Sequence, residues 1–537
     1  MMVNYDAMDY PYASKRVTTY AKNGMVATSQ PLAAQAGLDI LKKGGNAVDA
    51  AIATAACLTV VEPTSNGIGG DAFALVWIKD ELHGLNASGP APQGISIEAL
   101  KAKGLEEMPT YGWTPVTVPG APAAWAELSK RFGRLPLTEV LQPAIDYAEN
   151  GYPLSPTLAH YWKVAHKKFS QLCTGEEYAH WFKTFTPDGK VPKAGDIWRS
   201  PGHAETLRQI AQTNAESFYR GELADKIDAF SRECGGYLRK EDLAAYQPEW
   251  VKPVGVNYRG YDVWEIPPNG QGMIGLMALN ILKGYDFAAK ETVETYHKQI
   301  EAMKLAFVDG LKFITEESKM KVSVADLLSE EYANTRRALI GDEALTPEPG
   351  QPKSSGTIYL ATADGEGNMV SFIQSNYMGF GSGVVIPGTG IAMQNRGHNF
   401  SLDPEHDNCL EPGKKTFHTI IPGFLTKDGK AVGPFGVMGG FMQPQGHVQV
   451  VMNTIDFHLN PQASLDAPRW QWTEGKTVEL ERHFPEHLAL ALERKGHTIK
   501  WAQLGNYFGR GQIIWRDENG VLSGGTDMRT DSAIAAW

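Results

Sequence analysis

The chain has 537 residues, of which 42% are hydrophobic, 21% charged and 10% aromatic, proportions that exclude a largely disordered protein. Fifty Lys and Arg against sixty-one Asp and Glu leave a formal net charge of −11, which argues against general nucleic-acid binding because that needs a basic footprint. Cys57, Cys173, Cys234 and Cys409 are scattered without a CxxC pair, so they read as reduced structural thiols. The N-terminal stretch MMVNYDAMDYPYASKR lacks an apolar leader segment, and no window approaches 18 uncharged apolar residues. The expectation is a cytoplasmic protein with no membrane span.

In chain order, PLAAQAGLDILKK (31–43) predicts a helix with Pro31 at its first position and Gly44-Gly45 as its stop. Asn46 then caps a second helix, NAVDAAIATAACLTVVE, whose unbroken apolar character implies burial on nearly all sides. PTSNGIGGD (63–71) reads as a Gly-rich loop, and FALVWI and HGLNAS as two adjacent strands. From about 114 to 330 the periodicity is mainly helical, clearest in AWAELSKRFG, EVLQPAIDYAENG, MIGLMALNILKG and VETYHKQIEAMKLAFVDGLKFI. Residues 341–356, GDEALTPEPGQPKSSG, form a linker without a periodic apolar face.

Beyond the linker, TIYLATADGEGNMVSFIQS predicts a hairpin around an Asp-Gly-Glu-Gly-Asn turn. FHTIIPGFLT, AVGPFGVM, TVELE and QIIWRD are strand-like, with helices expected over roughly 444–457 and 484–495. Strands and helices mix without a βαβ repeat, which favours an α+β layered sheet sandwich over a doubly wound parallel sheet.

Familiar sites are missing from the sequence: it has no HExxH, no P-loop and no GxSxG. Gly67-Ile68-Gly69-Gly70-Asp71 precedes a strand instead of opening a helix, so a dinucleotide fingerprint is rejected and no cofactor is implied. The histidines show no ligand spacing, and His398, His406 and His447 read as surface or satisfied core residues. No metal site is expected. One constellation carries chemistry. Gly356-Thr357 sits where the linker meets the hairpin, followed by Ser371, Ser375, Asn395-Arg396-Gly397, His418-Thr419 and Met438-Gly439-Gly440. Thr357 reads either as a capped strand start or as a nucleophile exposed by cleavage of the bond before it. Cleavage would put a hydroxyl and a free α-amine, with a reference pKa of about 7.7–8.0, on one residue, so that the amine activates the hydroxyl.

Several stretches carry a resemblance: GMVATSQPLAAQAGLDILKKGGNAVDAAIAT, EPTSNGIGGDAF, VTVPGAPAAWAELSKRFGRLP, PPNGQG, MQNRGHNFS, FHTIIPG, GVMGGFMQPQGHVQVVMN and LDAPRW. In these, in the same order, the chain resembles the γ-glutamyltransferase family of N-terminal-nucleophile hydrolases. The resemblance implies a four-layer αββα sandwich made as one proenzyme, cut at Gly356/Thr357 into a large subunit (1–356) and a small catalytic subunit (357–537) that stay associated. It puts the nucleophile on Thr357, its hydrogen-bonding hydroxyl on Ser375 and the oxyanion-hole glycines on Gly439 and Gly440. It also implies departures. The arginine that grips a substrate α-carboxylate falls near Ser88 and is lost, the ammonium-binding aspartate falls on Asn399, and a serine pair becomes His418-Thr419. Arg396 is new at a pocket position, free to replace the clamp or to pair with Glu405 or Asp407. The pattern resembles the cytoplasmic glutathione-hydrolase-like branch, with oxamate amidohydrolases and glutaryl-cephalosporin acylases as alternatives. The partner expected is thus a small-molecule amide, with no nucleic acid and no membrane. From another class, an uncleaved and inactive small-molecule binding protein is opposed by the joint retention of Thr357, Ser375, Gly439 and Gly440.

Overall fold

The computed structural model describes residues 16–347, 357–502 and 507–537. Gly356, half of the expected cleavage site, lies outside them. Two seven-stranded antiparallel sheets dominate. The first runs Ala533–Ala536, Gly24–Thr28, Ile358–Asp364, Met369–Ser375, Asp71–Ile78, Glu81–Ala87 and Glu249–Val251. The second runs Thr19–Ala21, Leu522–Thr526, Arg510–Arg516, Lys430–Met438, Gly423–Lys427, Tyr261–Glu265 and Val254–Tyr258.

Side-chain alternation places the layers. Ile358 and Leu360 join the core shared with helices such as Ala47–Val61, Ala121–Phe132 and Pro201–Thr213. Tyr359, Ala361 and Ala363 join Phe73, Leu75, Ile373, Phe424, Met438 and Ile514 in a core between the sheets. Helices Gly272–Leu282, Val293–Phe313 and Met442–Ile455 cover the other sheet. The order is therefore helix, sheet, sheet, helix: the αββα sandwich.

The helix Ala47–Val61 is buried at every position and starts with the expected Asn46 capping box, reciprocated by Asp49. It also anchors the hairpin, because Thr362 Oγ1 donates to Ala47 O at 2.7 Å and Ala47 N donates to Asp364 Oδ2 at 3.0 Å. The hairpin pairs Ile358 with Gln374 through Ala363 with Met369, as its alternation predicts.

Three expectations need correction. Residues 249–265 supply three strands inside the stretch read as helical; the second-sheet edge hairpin buries Val256, Tyr258 and Val263 under helix Gly272–Leu282. Of FHTIIPGFLT only the last four residues are strand, within Gly423–Lys427. Asp71 is the first residue of a strand instead of the last of a loop.

Ahead of the undescribed linker residues, a buried polar cluster holds 341–345. Lys304 Nζ lies 2.7 Å from Glu301 Oε1 and donates to Leu345 O at 3.0 Å, while Leu345 N donates to Glu301 Oε2 at 2.8 Å. Lys304 also reaches His497 Nδ1 at 3.5 Å, His497 Nε2 meets His297 Nδ1 at 2.9 Å, and His297 Nε2 donates to Gly341 O at 3.0 Å. Burial pushes both imidazoles down, His497 to about 2. Because unfolding frees them to protonate below about 6.5, stability is complete above that pH and declines on acidification. Chemical denaturation should lose about 2 kcal/mol between pH 7 and pH 5 through His497, and His497→Gln should remove that part of the slope.

Candidate active site

Thr357 immediately precedes the strand Ile358–Asp364, and its Oγ1 lies 3.1 Å from Ser375 Oγ at the end of the neighbouring strand. Both are fully buried. Ser375 Oγ also accepts the Tyr377 N–H at 2.8 Å. Tyr377 is held at φ 76, a left-handed conformation that bulky side chains rarely adopt and that tends to mark functional turns.

Arg396 lies across this turn. It is 1% exposed, its guanidinium sits 4.4 Å from the Tyr377 ring centroid, and Nη1 donates to Thr419 Oγ1 at 2.6 Å. Nε and Nη2 have no hydrogen-bond partner among the described residues. Arg396 therefore does not pair with Glu405 or Asp407; Asp407 pairs instead with Lys321. Burial lowers the Arg396 pKa to about 10, the Asp71 charge opposing the shift. A buried guanidinium with two unspent donors is costly until an anion fills them.

His418 and Thr419 lie on the same segment. His418 Nε2 meets Asp71 Oδ2 at 3.0 Å, and His418 Nδ1 accepts the Ile420 N–H at 3.3 Å. That pattern assigns the proton to Nε2, and burial keeps the ring neutral by pushing its pKa far down. Gln271 ties the segment to the glycine turn: its Nε2 donates to Thr419 O at 2.5 Å and to Gly440 O at 2.8 Å. Gly439 and Gly440 adopt φ of 138 and 60, and their carbonyls accept Met442 N and Gln443 N as the next helix begins. The positive φ values explain why glycine stands there.

Asn399 donates Nδ2 to Phe417 O at 3.0 Å. With Tyr377, His398, Phe417 and Phe441 it lines a cavity of about 280 Å³. Ser88 is buried and donates to Asn86 Oδ1 at 2.7 Å. His398 bonds Met108 O at 2.7 Å and His447 is buried on Glu265 at 2.7 Å.

Asp71, Tyr377 and Gln271 were not singled out from the sequence. The only available signal was alternation: Asp71 shares odd parity with Phe73, Leu75 and Trp77 of the inter-sheet core. Sequence spacing likewise missed a potential metal-ligand cluster, His297, Glu301 and His497, whose ligand atoms lie within 4.8 Å of one another. The Lys304 ammonium already neutralises Glu301 there, so the residues present do not favour a further cation.

An αββα sandwich that presents a threonine hydroxyl at the start of a central strand, bonded to a hydroxyl on the next, defines an N-terminal-nucleophile hydrolase. The chain belongs to the gamma-glutamyltranspeptidase family, whose profile matches residues 33–537, and it is an amide hydrolase or transpeptidase of that family. It is similar to a solved cephalosporin acylase from Bacillus halodurans, with a TM-score of 0.97 and 68% identity over 100% of this chain and 99% of that one. It is 38% identical over 522 residues to the glutathione hydrolase-like YwrD proenzyme of Bacillus subtilis, covering 95% of this chain and 97% of that protein. It is 33% identical over 538 residues to the oxamate amidohydrolase proenzyme of Klebsiella pneumoniae, covering 98% and 100%. Among the described residues no helix is long and apolar enough to cross a membrane.

Proposed function

We propose that the protein cuts its own Gly356–Thr357 bond, giving subunits 1–356 and 357–537, and then hydrolyses amides of small acids at Thr357. The observation that carries this reading is the 3.1 Å approach of Thr357 Oγ1 to Ser375 Oγ at the head of the strand. Once free, the Thr357 α-amine takes the hydroxyl proton as Oγ1 attacks the amide carbonyl. The Gly439 and Gly440 N–H groups stabilise the oxyanion, and such donors contribute about 3–4 kcal/mol each in comparable sites. The proton passes to the departing amine, an ester on Thr357 remains, and water returns the acid. Transfer to another amine replaces that last step when an acceptor binds.

Arg396 selects an acyl group bearing a carboxylate, because a guanidinium fork matches that anion. Asn399, His418 and Thr419 complete the pocket wall around it. The names of the relatives suggest γ-glutamyl compounds such as glutathione, oxamate, or acylated cephalosporins as members of one substrate class. Four free cysteines suit the reducing cytoplasm, the location we assign, and γ-glutamyl chemistry would place the enzyme in glutathione turnover.

A release assay over γ-glutamyl, glutaryl and oxamate amides tests the substrate reading. Hydrolysis confined to acyl groups with a carboxylate supports it; equal hydrolysis of uncharged acyl amides rejects Arg396 as the selector. Ser375→Ala should slow both maturation and turnover by about 10- to 100-fold, the scale of one hydrogen bond to a developing charge. A twofold loss would remove Ser375 from the mechanism. Gly440→Val should lower kcat by about 100-fold or more through a displaced oxyanion donor, while thermal unfolding shows that the variant is folded.

A further inference from the structure

Asp71 completes a row that the nucleophile begins. In the first sheet Ile358 is paired with Gln374, and Ser375 directly with Asp71. Thr357, Ser375 and Asp71 therefore stand side by side on three adjacent strands, all on the face between the sheets. At about 4.8 Å per strand the row places Asp71 about 10 Å from Thr357, backbone to backbone. That span fits a short acyl chain whose carbonyl meets Thr357 and whose far end meets Asp71.

The far end is also where Arg396 is held. His418 bonds Asp71 and Thr419, the next residue, bonds Arg396. Asp71 is fully buried, and its Oδ1 has no partner in hydrogen-bond geometry among the described residues. Two backbone N–H groups lie near it: that of Gly120, already spent on Gly70 O at 2.9 Å, and that of Gly89, which favours the ionised carboxylate without meeting hydrogen-bond geometry.

Charge balance then decides what can bind. Arg396 contributes one positive charge, ionised Asp71 one negative, and neutral His418 none, while Lys415 is neutralised by Glu249 at 2.8 Å. An acyl carboxylate adds a second negative charge, which a buried pocket disfavours. Two routes restore neutrality: the acyl group brings an α-ammonium, or Asp71 takes a proton from solvent as the substrate binds.

We propose that Asp71 is the specificity-determining residue that reads the acyl α-substituent, accepting an α-ammonium on Oδ1 when ionised and admitting an acyl group without one only when protonated. The inference rests on the reading that Thr357 hydrolyses small acid amides with Arg396 on their carboxylate. It moves ammonium recognition from Asn399, at the end of the short helical turn Arg396–Asn399 with its amide committed to Phe417 O, to the first residue of the strand Asp71–Ile78. The groups facing Asp71 are the cations Arg396 and Lys415, neutral His418, and the phenols Tyr219 and Tyr246. Burial outweighs the cations and raises Asp71 to about 7, so both protonation states are accessible near neutrality.

The experiment measures kcat/KM for matched γ-glutamyl and glutaryl anilides from pH 5.5 to 8.5 with the mature enzyme and with Asp71→Asn. Titration of the Thr357 α-amine affects both substrates alike and cancels in their ratio. For the wild type, the γ-glutamyl to glutaryl ratio should rise about tenfold per pH unit across this range, because it follows the ratio of ionised to protonated Asp71. Asp71→Asn should reduce γ-glutamyl hydrolysis 10- to 100-fold more than glutaryl hydrolysis and flatten the ratio. A ratio independent of pH in the wild type overturns the proposal, as does an equal loss of both substrates in Asp71→Asn. Calorimetry with the wild type alone, in two buffers of different ionisation enthalpy, gives a second readout. Glutarate should take up a proton on binding above pH 7 and L-glutamate should not; equal uptake overturns the proposal. If the wild type hydrolyses neither anilide, the substrate reading itself fails, a result distinct from hydrolysis of both with an unchanging ratio.

Discussion

Thr357→Ala should leave the protein as a single 58.7 kDa chain and lower amide hydrolysis by at least about 10⁴-fold, the scale on which loss of a nucleophile is felt. Wild-type protein aged without protease should separate into two polypeptides meeting at Gly356/Thr357, which intact-mass measurement reads directly. The size of the effect follows from the two jobs the proposed mechanism gives one oxygen: Oγ1 would attack its own preceding carbonyl to mature the enzyme and then attack substrate. Alanine keeps the strand, since Ile358 and Leu360 still pack under the helices, so lost activity is not lost fold. Cleavage of the alanine variant at the same bond would mean that a foreign protease cuts there, and autoprocessing would be rejected.

Arg396→Ala should lower kcat/KM for acidic acyl anilides by about 10²- to 10⁴-fold relative to an uncharged butyryl anilide. In the proposed mechanism the two unspent guanidinium donors, Nε and Nη2, would meet the acyl carboxylate, and hydrogen bonds to charged groups contribute about 1.5–3 kcal/mol each. Arg396→Lys should recover only part of this, because an ammonium is a point charge without the planar fork and cannot reproduce the contact over Tyr377 equally well. Expressing the loss relative to the butyryl compound separates recognition of charge from general damage to the pocket. An equal loss for both anilides would make Arg396 a structural group that braces Thr419 and Tyr377.

Much of the first sheet was legible. The hairpin of Ile358–Asp364 and Met369–Ser375 follows from period-two alternation around a turn with Gly367 at φ 93, and the Asn46 cap from its residue type. The 254–265 hairpin was not, although Val254, Val256 and Val263 pack toward the core, because strong helical periodicity on either side dominated the reading. Arg396 stood out as a cation in a pocket segment, but its partner did not: Glu405 and Asp407 are near in sequence, whereas Thr419 is brought in by the fold. The His297–His497 contact spans 200 residues, beyond any spacing rule.

By itself, then, the sequence determined the mixed α+β class, the hairpin that carries Thr357 and Ser375, and the family, because these depend on local backbone periods and on ordered motifs. Only the tertiary structure decided that Asp71 joins their row, that His418 and Thr419 divide Asp71 and Arg396 between them, and that Arg396 keeps two donors unspent. Those relations are set by strand register and by the stacking of two sheets, so they join residues as distant as Asp71 and His418. Local propensity is blind to such distances: a strand's period says which face a side chain takes, while its neighbours across the sheet and across the core say what that side chain meets.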